Sequence, residues 1–329
     1  MRFCVIGAGS WGTALAIQLG RNGHDVRLWG RDAEALAAMA SAQENTRYLP
    51  GVVFPAMLKP EPAFARALDF AEAILIAVPS SAFRETLSRS RDRLSAKPLI
   101  WATKGLELPA GLPLHRVCDE VLGRQDERAL LSGPSFAREV GQGKPTAVTM
   151  ASSDPTFAEK AAAWFHGREF RVYTSTDVIG VELGGALKNV LAIAAGISDG
   201  LGFGSNARAA LITRGLRELV RLAERAGARP ETLYGLSGLG DLVLTSTDDQ
   251  SRNRRLGLAL AKGYSIEESR QAIGQAIEGL ETAKVVRRIA SDHACEMPIC
   301  EQIYRVLYEG LAPRLAVTEL LAREAKQEG

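Results

Sequence analysis

The chain has 329 residues, more than one compact core usually holds, so two domains are expected. Hydrophobic residues make up 46% and charged residues 24%, as in an ordinary globular protein, and a net charge of +2 with interleaved signs excludes binding to nucleic acid or a membrane surface through bulk charge. Its 4 cysteines and 4 histidines are scattered, offering neither a disulfide framework nor a metal cluster, which points to a reducing cytoplasm and no metal. No contiguous apolar run approaches the roughly 18 residues of a membrane span. The first strand begins too early for a signal peptide, so a cytoplasmic location is expected.

An apolar strand at 3–6 leads into GAGSWG at 7–12 and then a helix at 11–19. This strand–glycine–helix order marks a dinucleotide site: Gly7 permits the tight turn, Gly9 admits a pyrophosphate to the backbone, and Gly12 lets the helix pack on the strand. The amides of the helix start then face the phosphates. A tight turn without ligand is the plainer reading. The second strand, 25–30, ends at Gly30, where an acidic residue would bind the adenosine ribose, and Arg31 follows it. Without that carboxylate a 2′-phosphate is not repelled, and the guanidinium offers it a fork. NADP is therefore accepted alongside NAD, unless Asp32 turns inward to the ribose or Arg31 is simply solvated. A helix at 33–42 and a Pro/Gly passage at 49–51 precede an apolar run at 73–78, which stops at Pro79. Further strands are expected at 99–103, 129–132, 147–150 and 170–173. Apolar strands alternating with helices describe a parallel, doubly wound sheet.

The pattern changes near residue 181. Helical periodicity runs through 182–201 and 206–226, with Gly227 as a C-cap, and continues at 265–276, 281–294 and 299–310. The expected organisation is α/β plus all-α, with an α/β cofactor domain at 1–180 and an all-helical substrate domain at 181–329. Residues 322–329 read as a fraying tail.

Lys188 is the first candidate for chemistry. Its helical neighbours Gly184, Gly185, Ala192 and Ala195 leave a face without bulk, which suits either a ligand or a closely packed helix. A lysine held partly out of water exchanges protons nearer neutral pH than a solvated one. Asn189 beside it could orient a carbonyl. Lys104 at a strand end, the SGPSF turn at 132–136 and the basic SRNRR at 251–255 supply anion and carbonyl contacts, although such a cluster can also be a solvated surface. Asp241, in a glycine-rich turn, either caps a helix or holds the charge of Lys188.

The strings GAGSWGTALA (7–16), WATKGLE (101–107), SGPSFA (132–137), GALKNVLAIAAGISDGLGFGSNARAALITRG (185–215), GLGDLVLT (238–245) and QSRNRR (250–255) resemble bacterial NAD(P)-dependent glycerol-3-phosphate dehydrogenases. The likeness spans nearly the whole chain in order. It implies a Rossmann-like N-terminal domain, and reversible NAD(P)H-dependent reduction of dihydroxyacetone phosphate to sn-glycerol 3-phosphate for phospholipid synthesis. It implies a small phosphorylated substrate, a homodimer, and no stable insertion in a membrane. By resemblance Lys188 exchanges the proton, with Lys104, Asp241, Thr245 and Asn189 around it. Gly133, Ser135, Ser251, Arg252 and Asn253 hold substrate together with Lys104, Lys188 and Asp241. Cofactor contacts fall to Gly7, Gly9, Ser10, Trp11, Gly12, Arg31, Phe83, Lys104, Ala137, Arg252, Ala276 and Glu278. Trp11 is often tyrosine in the family, and Arg31 is sometimes another polar residue.

Two other readings compete. A β-hydroxyacid dehydrogenase has a similar architecture but needs a carboxylate clamp where SRNRR stands. A nucleotide-sensing protein without catalysis has no use for Lys188, Lys104 and Asp241 together.

Overall fold

The computed structural model describes residues 1–94, 97–108, 110–123 and 127–322. Residues 323–329 of the expected tail lie outside them. The chain forms two compact units, one of Met1–Glu107 with Leu112–Glu182, the other of Leu108–Gly111 with the chain from Leu183 onward.

The first unit is built on β1 (Arg2–Ile6), α1 (Ser10–Arg21), β2 (Asp25–Trp29), α2 (Ala33–Ala42), β3 (Leu58–Pro60), α3 (Phe64–Phe70), β4 (Ala73–Ile76), α4 (Phe83–Leu94), β5 (Leu99–Trp101), α5 (Leu114–Leu122), β6 (Arg128–Ser132), α6 (Ala137–Gly141), β7 (Thr146–Ala151), α7 (Pro155–Phe165) and β8 (Phe170–Ser175). Phe3, Cys4, Val5 and Ile6 of β1 and every side chain of β4 are fully buried, as central strands covered on both faces require. The strand order is β3-β2-β1-β4-β5-β6-β7-β8. The chain therefore reverses its direction of travel across the sheet between β1 and β4, and ligands of such sheets bind beyond the carboxyl ends of the strands at that switch point. Gly7 and the segment after Ile76 occupy those ends.

Two features of the sheet were not expected, an added edge strand and one antiparallel pair. The stretch after α2 contributes β3, an edge strand whose three residues end in proline and so carry no readable alternation. More consequentially, β6 and β7 pair antiparallel, whereas β7 and β8 pair parallel. Helix length accounts for the difference. The β6–β7 connection holds only the five-residue α6, which rises about 7.5 Å and cannot carry the chain back past a strand about 16 Å long. The eleven-residue α7 covers about 16 Å and returns the chain for parallel pairing.

The described part of the second unit is helical: α8 (Val178–Gly200, whose first turn belongs to the first unit), α9 (Gly204–Arg225), α10 (Pro230–Tyr234), a π-helical segment (Leu236–Gly240), α11 (Asp241–Thr247), α12 (Arg252–Ala261), α13 (Ile266–Ile273), α14 (Glu278–Asp292), α15 (Pro298–Tyr308) and α16 (Pro313–Leu321). A full capping box between Ser265 and Glu268 starts α13, and Gly274 at φ +66° ends it three residues before the periodicity suggested. Helix α8 is long and apolar enough to cross a membrane by length and composition, contrary to the expectation drawn from contiguous runs, because Glu182 and Lys188 interrupt the run without lowering its average much. It is instead a core helix, 89% buried over its most apolar window. Helices α8 and α12 touch backbone to backbone: a Cβ on Gly196 would stand 2.1 Å from the Arg254 carbonyl oxygen, and one on Gly257 2.1 Å from that of Ile193.

Glu218 of α9 ties down the start of α15, accepting hydrogen bonds from the backbone amides of Ile299 at 2.8 Å and Cys300 at 3.2 Å. Burial dominates those bonds and pushes its carboxyl up to about 7 from an ordinary 4.5. The folded state thus holds this proton more tightly than the unfolded chain does. The group's contribution is present below pH 4.5 and is lost as pH rises to about 7, by on the order of 3 kcal/mol at most. Glu218→Gln should therefore gain thermal stability relative to the parent as pH rises from 5 to 8. An unchanged dependence of the midpoint on pH in the variant would show that Glu218 does not titrate in this window.

Candidate functional site

The glycine turn after β1 is shaped by backbone contact. Gly7 has φ +122°, and a Cβ there would stand 2.5 Å from the Ala77 carbonyl oxygen, so only glycine turns the chain here beside the end of β4. At Gly12 a Cβ would meet the Gly7 oxygen at 1.9 Å. Gly9 differs: it has an ordinary φ of −78°, and a Cβ there would meet nothing within 4 Å. No side chain caps α1, so the amides around Ser10 and Trp11 lack a side-chain partner at the helix start. Trp11 also keeps a buried indole N–H without a partner. Sequence reading missed the brace of this loop. The buried Asn45 donates to the Ala8 carbonyl at 3.0 Å and to Thr13 Oγ1 at 2.8 Å, and an asparagine in an irregular stretch gives no signal of such a task.

At the end of β2 a Cβ on Gly30 would stand 2.9 Å from the Ala8 methyl, so the methyl occupies the place where an acidic side chain would begin. Asp32 caps α2, accepting from the Ala35 amide at 2.9 Å, and is committed there instead of turning inward. Arg31 is exposed and makes no hydrogen bond or ion pair among the described residues.

The ends of β5 and β6 bring three expected residues together. Lys104 Nζ donates to the Gly133 carbonyl at 3.0 Å, and Ser135 Oγ donates to the same oxygen at 3.0 Å. Ala137 opens α6 immediately after them. Phe83 is fully enclosed and packs edge-on against Trp101, with ring centroids 6.5 Å apart. It backs the strand ends and has no open face, where the resemblance implied a contact with the nicotinamide.

In the helical unit Lys188 and Asn189 are buried on α8. The small residues beside Lys188 leave no open space at Gly184, where a Cβ would stand 2.6 Å from the Ser237 carbonyl oxygen. That close approach of the π-helical segment delivers Asp241, at the head of α11, to Lys188. The ammonium donates to Asp241 Oδ1 and, at 2.7 Å, to Thr245 Oγ1, one turn along α11. Thr245 Oγ1 donates its own hydrogen bond to the Asp241 backbone carbonyl at 2.6 Å, which leaves its lone pairs to accept from the lysine. Asp241 thus holds the lysine, the second of the two roles its sequence allowed. Asn189 Nδ2 donates to Glu278 Oε2 at 3.3 Å, and its Oδ1 accepts from Asn253 Nδ2 at 2.9 Å. Asn253 Oδ1 in turn accepts from the Gly279 amide at 2.9 Å. Lys188, Asp241 and Thr245 therefore form one polar group, and Asn189, Asn253 and Glu278 form a second, which meets it in sequence at residues 188 and 189 of α8. Ala276 is exposed in the α13–α14 connection and makes no part of either.

The SRNRR cluster separates into two kinds of residue. Ser251 caps α12 by accepting from the Arg254 amide at 3.2 Å, which leaves its hydroxyl proton free to donate outward. Arg252 is half-buried with no ion pair among the described residues, and Arg255 has a buried Nε without a partner. Arg254 is buried, and its Nε and Nη1 pair with Asp249 and Asp199.

Comparison with known proteins places this arrangement. Residues 2–158 match the NAD-dependent glycerol-3-phosphate dehydrogenase N-terminus family, and residues 177–318 the corresponding C-terminus family. A glycerol-3-phosphate dehydrogenase [NAD(P)+] of Thioalkalivibrio sulfidiphilus is 60% identical over 98% of both chains. That of Nitrosococcus oceani is 58% identical over 100% of this chain and 96% of its own. The crystal structure of glycerol-3-phosphate dehydrogenase from Coxiella burnetii superposes with a TM-score of 0.94 at 50% identity, covering 98% of this chain and 99% of that one. These likenesses do not favour a β-hydroxyacid dehydrogenase or a silent nucleotide sensor. With a Rossmann-type sheet in one unit and a helical second unit carrying the buried Lys188–Asp241 pair, the chain belongs to the NAD-dependent glycerol-3-phosphate dehydrogenase family.

Proposed function

We propose that this protein catalyses the reversible NAD(P)H-dependent reduction of dihydroxyacetone phosphate to sn-glycerol 3-phosphate, the backbone precursor of glycerophospholipids. The buried Lys188 ammonium, aligned by Asp241 and Thr245 beside Asn189, carries this reading. Residues 1–180 act as the cofactor domain and 181–329 as the substrate domain, in a cytoplasmic homodimer as the family resemblance implies.

The residues present fit a dinucleotide. Gly9 has no steric reason within the molecule to lack a side chain, yet it heads an uncapped helix whose amides suit a pyrophosphate. Gly7, Ser10, Trp11, Gly12 and Ala137 complete this cradle, and the unpaired Arg31 would take a 2′-phosphate. When bound, the nicotinamide supplies the hydride. Lys104, Arg252 and Glu278 are the further contacts, and Phe83 supports from behind.

On the substrate, Ser251 and Arg252 hold the phosphate through hydroxyl, guanidinium and the α12 N-terminus, with Gly133 and Ser135 adding backbone and hydroxyl contacts. Asn253 fixes the Asn189 amide, which orients the ketone. Lys188 donates its proton to the ketone oxygen as charge develops there, and takes it back in the reverse direction. Asp241 and Thr245 hold the position of the Lys188 amine through their hydrogen bonds, and the family resemblance adds Lys104 as a cation for the developing negative charge. Holding the remote phosphate aligns the ketone, so a substrate without it loses turnover as well as affinity.

Lys188→Ala should retain NADPH binding and lose about a thousandfold or more in turnover with dihydroxyacetone phosphate, followed by nicotinamide absorbance. Because that change leaves Asp241 buried without its counter-charge, the double variant Lys188→Ala/Asp241→Asn should recover stability but not turnover. Near-parental turnover in either would remove Lys188 from the acid–base role. Gly9→Ala should melt within about 1 kcal/mol of the parent while binding NADPH about tenfold more weakly or worse. Unaltered binding would mean that no pyrophosphate approaches this glycine. Arg31→Asp should weaken NADPH by about tenfold or more relative to NADH, and an equal loss for both cofactors would show that Arg31 does not read the 2′-phosphate.

A further inference from the structure

Within SRNRR, sequence reading gave neither Arg254 nor Arg255 a task, and Arg254 is the one that bonds most widely within the fold. Arg254 Nε donates to Asp249 Oδ1 at 2.9 Å, its Nη1 pairs with Asp199 Oδ2 and reaches the Ser246 carbonyl at 3.3 Å, and its backbone amide donates to Ser251 Oγ. These acceptors sit on three separate pieces of the helical unit. Asp199 is on α8, eleven residues and so about three turns beyond Lys188 on the same side of the helix. Ser246 follows Thr245 on α11. Asp249 and Ser251 are in the turn that enters α12, beside Arg252. The planar guanidinium therefore joins the helix of the proton donor, the helix of its carboxylate and the turn that holds phosphate.

We propose that Arg254 is a positioning residue that fixes the phosphate-holding turn of Ser251 and Arg252 relative to Lys188, and so sets how strongly the enzyme favours a phosphorylated ketone. The inference rests on the assignment of Ser251 and Arg252 to the phosphate. Arg254 is buried, with its Nε and Nη1 committed to two carboxylates and a carbonyl, so its proposed effect on substrate runs through these bonds. Lysine cannot replace it, because a point charge cannot span two carboxylates and a carbonyl in one plane. Asp199 keeps its second partner, Arg208 at 2.8 Å, so losing the Arg254 link need not leave that carboxylate unpaired. Asp249 is 72% exposed, and its removal leaves no buried charge behind.

The test compares kcat/KM for dihydroxyacetone phosphate and for unphosphorylated dihydroxyacetone in the full-length parent, Arg252→Ala, Arg254→Lys and Asp249→Asn. Arg254→Lys should lower the value for the phosphorylated ketone by about a hundredfold, the scale of a 1 Å misplacement, and that for dihydroxyacetone less than about threefold. Asp249→Asn, which cuts one arm at the surface, should shift the ratio in the same direction by a smaller factor and carries the test if Arg254→Lys does not fold. An equal fall for both substrates would assign Arg254 a merely structural role and overturn the proposal. So would an unchanged ratio in Arg254→Lys and Asp249→Asn alongside a collapsed ratio in Arg252→Ala. If Arg252→Ala itself leaves the ratio at the parental value, the phosphate assignment fails first, and the positioning role with it.

Discussion

Much of the helical unit is arranged around keeping one charged lysine out of water. Lys188 is 8% exposed and its partner Asp241 is 1% exposed. A buried ion pair repays its desolvation only with good geometry and further hydrogen bonds, and often contributes less to stability than apolar side chains of the same size. Stability is thus a weak reason for the pair, and proton exchange a strong one. The surrounding construction supplies the geometry: glycine at 184 lets the π-helical segment approach α8, which brings Asp241 and Thr245 to the ammonium in one turn of α11. The close contact of Gly196 with α12 and of Gly257 with α8 holds the turn of Ser251 and Arg252 against the same helix.

The sheet unit solves a different problem with the same economy of side chains. Its glycines bring backbones together at Gly7 and Gly12, whereas a Cβ at Gly9 would meet nothing within 4 Å, so one motif contains both packing positions and a position that packing does not restrict. The Ala8 methyl does a comparable double task. It belongs to the glycine turn and also blocks the beginning of an acidic side chain at residue 30.

The elements were largely legible because their periods were strong. Fully apolar strands such as β4 and amphipathic helices such as α9 declare themselves, whereas β3, with three residues and a proline, does not. The antiparallel β6–β7 pair was hidden for another reason: strand direction depends on whether the connection is long enough to return, and the brevity of α6 was not visible in its composition. At the site, residue identity was legible and allegiance was not. Asp241 allowed two roles until its distance to Lys188 was known, and Asp32 allowed two until its side chain met the Ala35 amide.

Sequence by itself determined the class of chemistry here, because a glycine turn between strand and helix, a lysine among small residues and a basic helix start are chemical requirements written in residue types and short spacings. Tertiary structure alone decided how identical residue types divide their labour. Arg252 and Arg254 differ by two positions in one basic run, but only packing against Asp199 and Asp249 commits Arg254 to the frame and leaves Arg252 without an ion pair. The physical reason is that charge pairing and desolvation act over a few ångströms in space, and the partners that set them lie 5 and 55 residues away along the chain.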